Sequence, residues 1–124
     1  MARILLAEDE EALRAFVRRA LDEDGHQVTA AADGAEALEI LSREQDGFDL
    51  LLTDIRMPIM DGIALALAAA RDHPDLIILL MTGYADQRER AHGLDALIHD
   101  VIAKPFSLAD IKGAVREALA AKTR

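Results

Sequence analysis

The stretch LLTDIRMPIMDG, residues 51–62, decides how this chain is read. Leu51 and Leu52 close the apolar run FDLLLT (48–53), which reads as a buried strand. Pro58 and Gly62 punctuate the loop that follows. Where the strand stops stands a carboxylate, Asp54, in a chain that is already acidic. Placing a charge at the end of a buried strand is costly, so Asp54 needs a chemical reason.

Four further apolar runs flank this one: ILLA (4–7), QVTAA (27–31), LIILLM (76–81) and, less cleanly, LIHDVIA (97–103). Several are apolar on both faces, as in parallel sheets covered on both sides. Helical patterns lie between them. Leu13, Phe16, Val17, Ala20 and Leu21 form one stripe, with Gly25 as its terminator. Asp33 to Glu36 resembles a capping box ahead of Leu38 and Leu41. GIALALAAAR (62–71) forms a third helix of weak periodicity, its Ala-rich part suited to helix packing rather than docking. DQRERAHGLDAL (86–97) is a fourth, expected to be short or frayed because of Gly93. Ser107 to Asp110 caps a fifth, which carries Leu108, Ile111, Val115 and Leu119.

Five strand–helix repeats in 124 residues predict one α/β domain with an open, doubly wound sheet. Ligands of such sheets bind at the carboxyl ends of the strands, near the switch in strand order. Glu8 and Asp9 follow the first strand, Asp54 the third, Thr82 the fourth and Lys104 the fifth, so all five are expected on one rim.

The net charge of −9 argues against nucleic acid as a partner, since phosphate backbones require clustered Lys and Arg. There is no cysteine, hence no disulfide framework. The apolar run at the N-terminus is too short for a signal peptide, and no run reaches transmembrane length. A cytoplasmic setting without a membrane partner is the expectation. His26, His73, His92 and His99 lack metal-ligand spacing and read as surface or hydrogen-bonded side chains.

Three carboxylates on one rim repel one another, and a divalent cation relieves this. Oxygen ligands select Mg²⁺ or Ca²⁺. Mg²⁺, a lysine and a hydroxyl are the parts that stabilise a phosphoryl group in transfer. A central carboxylate can then serve as nucleophile and become an aspartyl phosphate.

LLAEDE (5–10), LLTDIRMPIMDG (51–62), LMTGYA (80–85) and IAKPF (102–106), in this order and spacing, resemble the receiver domain of two-component response regulators. The resemblance covers essentially the whole chain, 1–124, read as a single receiver domain. It implies a flavodoxin-like, CheY-like fold: five parallel strands in the order 2-1-3-4-5, with five helices. It implies that Asp54 is the phosphoacceptor and that Mg²⁺ is held by Asp54, by Asp9 directly, by Glu8 through water and by the carbonyl of Arg56. Thr82 and Lys104 would contact the phosphoryl group, and Lys104–Pro105 would be a cis peptide. Tyr84, Val101 and Arg56 would tune switching or phosphate lifetime. Two residues depart from the family's commoner pattern: Glu8 stands for Asp, and Val101 stands where Tyr or Phe is frequent.

The resemblance further implies a phosphoacceptor rather than an enzyme, acting without an output domain. Its phosphodonor would be a histidine kinase or a histidine phosphotransfer protein. MTGYA (81–85) together with AHGLDALIHDVIAKPF (91–106) resembles the CpdR type, whose members act as adaptors for the ClpXP protease. A phosphate sink or relay intermediate is the alternative. A metal-dependent phosphatase of the haloacid dehalogenase class is disfavoured, because that class places its second acid where Arg56 stands.

Overall fold

The structure, a computed structural model, describes residues 2–44, 47–83, 90, 91 and 93–122. In chain order its elements are β1 (Arg3–Ala7), α1 (Glu11–Glu23), β2 (Gln27–Ala31), α2 (Gly34–Arg43), β3 (Leu50–Asp54), α3 (Gly62–Asp72), β4 (Ile77–Thr82), β5 (Asp100–Ala103) and α4 (Leu108–Lys122). The strands form one parallel sheet in the order β2-β1-β3-β4-β5. The order reverses between β1 and β3, so the crevice there lies between Ala7 and Thr53, which pair in register.

Strand alternation splits the core in two. Leu5, Leu51, Ile78 and Leu80 point to one face, where Ala37, Ile40 and Leu41 of α2 and Leu65, Ala66 and Ala69 of α3 cover them. Ile4, Leu6, Leu50, Leu52, Leu79 and Met81 point to the other, under Val17, Ala20 and Leu21 of α1 and Ile111, Val115 and Ala118 of α4. Burial on both faces explains why these strands read as continuous apolar runs.

The expected helix boundaries have local causes. Gly25 takes a positive φ of 87° just past α1. Asp33 accepts the Glu36 N–H at 2.8 Å, while Glu36 reaches back to Ala32 N–H at 2.9 Å, one residue ahead of the cap. Ser107 and Asp110 exchange both bonds of a capping box, each at 3.0 Å.

The described residues hold four complete helices, and most of the fifth expected one, at 86–97, lies outside or at the edge of them. Of the pattern at 86–97, Arg90 and Ala91 are helical and 93–97 form turns, while 84–89 and 92 lie outside the described residues. Leu94 and Leu97 donate three residues back, to Ala91 at 2.9 Å and Leu94 at 2.7 Å. Such tight turns are consistent with Gly93, which costs about 1 kcal/mol relative to Ala inside an α-helix.

The edge strand β5 has a local feature. Lys104 N–H donates across to Thr82 at 2.8 Å, so Val101, three residues earlier, turns its N–H away from the sheet. Asp100 accepts that N–H through its own carboxylate at 2.8 Å. Among the described residues, no helix is long and apolar enough to cross a membrane.

Candidate functional site

The carboxyl ends of β1, β3 and β5 bring Glu8, Asp9, Asp54 and Lys104 to one cleft of about 620 Å³, which Arg56 and Gly83 also line. Lys104 Nζ lies 2.9 Å from Asp54 Oδ1 and 3.1 Å from Glu8 Oε1. Asp54 and Glu8 are nearly sealed, at 5 % and 1 % exposure, whereas Asp9 faces solvent. The second Glu8 oxygen accepts Glu10 N–H at 3.0 Å, and the Glu8 carbonyl accepts from Arg14 at 2.9 Å. One oxygen each of Glu8, Asp9 and Asp54 can lie within 4.8 Å of the others.

The electrostatics follow from that burial. Burial pushes the Asp54 carboxyl above its ordinary range, against the hydrogen bond and charge of Lys104. Burial raises Glu8 as well; the Glu10 N–H opposes this and the Asp54 charge adds to it. Burial alone would lower the Lys104 ammonium, but the Asp54 and Glu8 carboxylates outweigh it and hold Lys104 above its ordinary value. The lone lysine partly neutralises two sealed acids, with a third acid beside them. This donor set consists of hard oxygens, which suits a divalent cation of the Mg²⁺ or Ca²⁺ kind. Mg²⁺ retains waters, and the open Asp9 side of the cleft leaves room for them.

The other sequence-selected positions fall as follows. Thr82 ends β4 and is buried at 3 % exposure. Val101 is half-buried on β5 and packs against the α2–α3 side of the core. The Lys104–Pro105 peptide is cis. Tyr84 lies outside the described residues.

Two contributions go beyond the sequence reading, which took Gly62 only as loop punctuation. A Cβ on Gly62 would run into the carbonyl oxygen of Asp54, and Gly62 N–H donates to Ile55 at 2.7 Å. Gly62 therefore lets the loop fold back under the Asp54 carboxylate. Its neighbour Asp61 caps α3 by accepting Ala64 N–H at 2.9 Å. The Asp-Gly pair was the available signal for both.

Residues 4–116 match the family described as the response regulator receiver domain. The chain belongs to that family. The response regulator receiver protein CpdR of Brucella abortus is 43% identical over 121 residues, covering 98% of this receiver and 99% of CpdR. The response regulator MprA of Mycobacterium leprae is 38% identical over 94% of this receiver, which spans only 50% of MprA. Among solved structures, a CheY-like receiver domain protein of Methanospirillum hungatei superposes with a TM-score of 0.90 at 29% identity, covering 99% of this receiver and 97% of that chain. TrrA of Thermotoga maritima, crystallised with Mg²⁺ and BeF, has a TM-score of 0.83 at 28% identity, with 95% and 99% covered.

Proposed function

We propose that the chain is a phosphoacceptor module of a two-component phosphorelay, with Asp54 as its acceptor. The observation that carries this reading is the placement of Lys104 Nζ between Asp54 and Glu8, with Asp9 alongside. An Asp54 carboxylate oxygen attacks the phosphorus of a phosphohistidine presented by a histidine kinase or phosphotransfer protein. The P–N bond breaks, the imidazole departs, and an acyl phosphate remains on Asp54. Lys104 balances charge on the phosphoryl oxygens as Asp54 gives up its own, and the Thr82 hydroxyl donates a hydrogen bond to them. Asp9, Asp54 and the Arg56 carbonyl would hold Mg²⁺ directly and Glu8 through water, and the ion would supply Lewis-acid stabilisation of the transferring phosphoryl group. The oxygen donor set of the cleft supports that assignment, as does the Mg²⁺-bound state of the structural relative TrrA. Arg56 and Tyr84 screen the approach of hydrolytic water, and Val101 is too short for the switching role of the family's aromatic, so switching is weak or carried by another group. No group in this scheme turns over an external substrate, so the module regulates rather than catalyses.

The output we propose is a phosphorylation-dependent protein contact made by the receiver domain, 1–124, in the cytoplasm. The end-to-end similarity to CpdR favours an adaptor role at the ClpXP protease over a plain phosphate sink.

The test is labelling with a small phosphodonor and Mg²⁺. Wild type should acquire a labile acyl phosphate, released by base and by hydroxylamine, and Asp54→Asn should acquire none. A label undiminished in Asp54→Asn overturns the acceptor assignment. Binding of purified ClpX to wild type with and without beryllium fluoride decides the output: equal, absent binding in both states rejects the adaptor role.

A further inference from the structure

Asp61 has two partners on opposite sides. Its Oδ1 caps α3 by accepting Ala64 N–H at 2.9 Å, and its Oδ2 accepts from Arg90 Nη2 at 3.0 Å. The next residue, Gly62, is wedged against the Asp54 carbonyl and tied to Ile55. Asp61 is therefore fixed in position relative to Asp54. Beyond Gly83, Arg90 is the next described residue of the segment between β4 and β5. Downstream, Ala91 and Ile98 are buried in the core, while 93 and 95–97 are exposed and turn tightly. The ion pair thus links a segment held by few apolar anchors to the loop that carries Asp54.

We propose that the Arg90–Asp61 pair is a latch that couples the state of the Asp54 loop to the segment 90–98. The coupling rests on the phosphoacceptor reading; the fastening does not. Both side chains are partly exposed, at 53% for Arg90 and 32% for Asp61. An exposed pair of this kind biases an equilibrium by no more than about fivefold. That size suits a latch rather than a lock: it favours one arrangement of 90–98, yet a modest displacement of the Asp54 loop suffices to release it. Movement of Gly62 against Asp54 would carry Asp61 with it, so the pair reports on the loop directly.

The test is amide hydrogen exchange at Leu94, Leu97 and Ile98 in Arg90→Ala, Asp61→Asn and the double variant. Asp61→Asn keeps an oxygen for the Ala64 N–H, so α3 retains its cap. In metal-free protein each single variant should speed exchange at these amides by about two- to fivefold, with Ile55 unchanged. The double variant should go no further than the larger single, and about 1 M salt should bring wild type to the same level. Unchanged exchange in the singles, or effects that multiply in the double, overturn the fastening. Mg²⁺ with beryllium fluoride should then alter exchange at Leu94 and Leu97 in wild type and alter it less in Arg90→Ala. A full response in Arg90→Ala overturns the coupling while leaving the phosphoacceptor reading intact. No response anywhere in wild type, Ile55 included, rejects that reading and the coupling with it, and the metal-free cycle still decides whether the pair fastens the segment.

Discussion

Gly62 lies against the carbonyl of Asp54 so closely that no Cβ fits between them. The contact fixes the loop 55–61 beneath the strand end and aligns Asp61 to cap α3. Gly62→Ala must push the two backbones apart and should cost about 1–3 kcal/mol, as overpacked sites do. Gly113, exposed on α4 with nothing near its would-be Cβ, is the control: Gly113→Ala should stabilise by about 0.5–1 kcal/mol. Urea midpoints at constant slope read both effects, and equal shifts in the two variants would contradict the steric account.

Removing Lys104 leaves two sealed acids facing each other. Lys104→Met should destabilise the metal-free protein by about 2 kcal/mol, below the ~3–5 kcal/mol of a fully enclosed pair because the cleft is open to water. Asp54 and Glu8 already sit above their ordinary range, so the folded state takes up protons before the unfolded chain does. Stability lost on their ionisation therefore returns as pH falls, and the deficit of Lys104→Met should shrink in the acid range. Mg²⁺ should also restore part of it. A deficit independent of both pH and Mg²⁺ would point to lost packing of the lysine stem instead.

Arg56 is exposed and lines the cleft two residues beyond Asp54. Water must approach in line with the departing carboxylate to hydrolyse an acyl phosphate there. Arg56→Asn combined with Tyr84→Ala should shorten the phosphate lifetime, and a tenfold change needs only ~1.4 kcal/mol of barrier. Decay of phosphorylated protein, followed by native mass spectrometry, measures it directly. Equal decay in the double variant and wild type removes steric shielding from the explanation.

His26 accepts the Ala2 N–H through Nδ1 at 3.2 Å, a role open only to the neutral ring. Burial lowers its affinity for a proton, with Asp24 opposing and Arg116 assisting. The unfolded chain thus binds the proton first as pH falls. The stability it contributes is complete above about pH 6.5 and is lost as pH drops toward the depressed folded value. One hydrogen bond sets the scale at no more than about 1 kcal/mol. His26→Asn keeps an acceptor and should flatten this step in a plot of stability against pH; a step of unchanged height assigns it to another group.

Much of the frame was legible because doubly covered strands leave a loud signal. The runs at 4–7, 27–31 and 48–53 lie within a residue or two of β1, β2 and β3, and LIILLM became β4. The fifth run was less clear because β5 is a short edge strand whose side chains are only partly covered. The acids and the lysine converge because each follows or ends a strand, so topology alone brings them together. Two contacts escaped the sequence. Nothing local in Gly62 says which backbone it will touch, and nothing in Arg90 or Asp61, far apart in the chain, announces their pairing. Both depend on how the returning loop and the post-β4 segment meet in space. His99 illustrates the middle case: it was read as surface or satisfied, and it contacts Glu117 Oε2 at 2.7 Å.

Asp100 caps the outward N–H of Val101 with its own side chain, and in doing so ends the sheet chemically as well as geometrically. An unpaired strand margin ordinarily offers donors on which a foreign strand can nucleate. Here the first of those donors is already taken, by a group that would also repel an incoming carbonyl. One donor fewer is therefore open to an added strand at the start of β5, which disfavours extension of the ladder there by a protein partner or by a second copy of the chain.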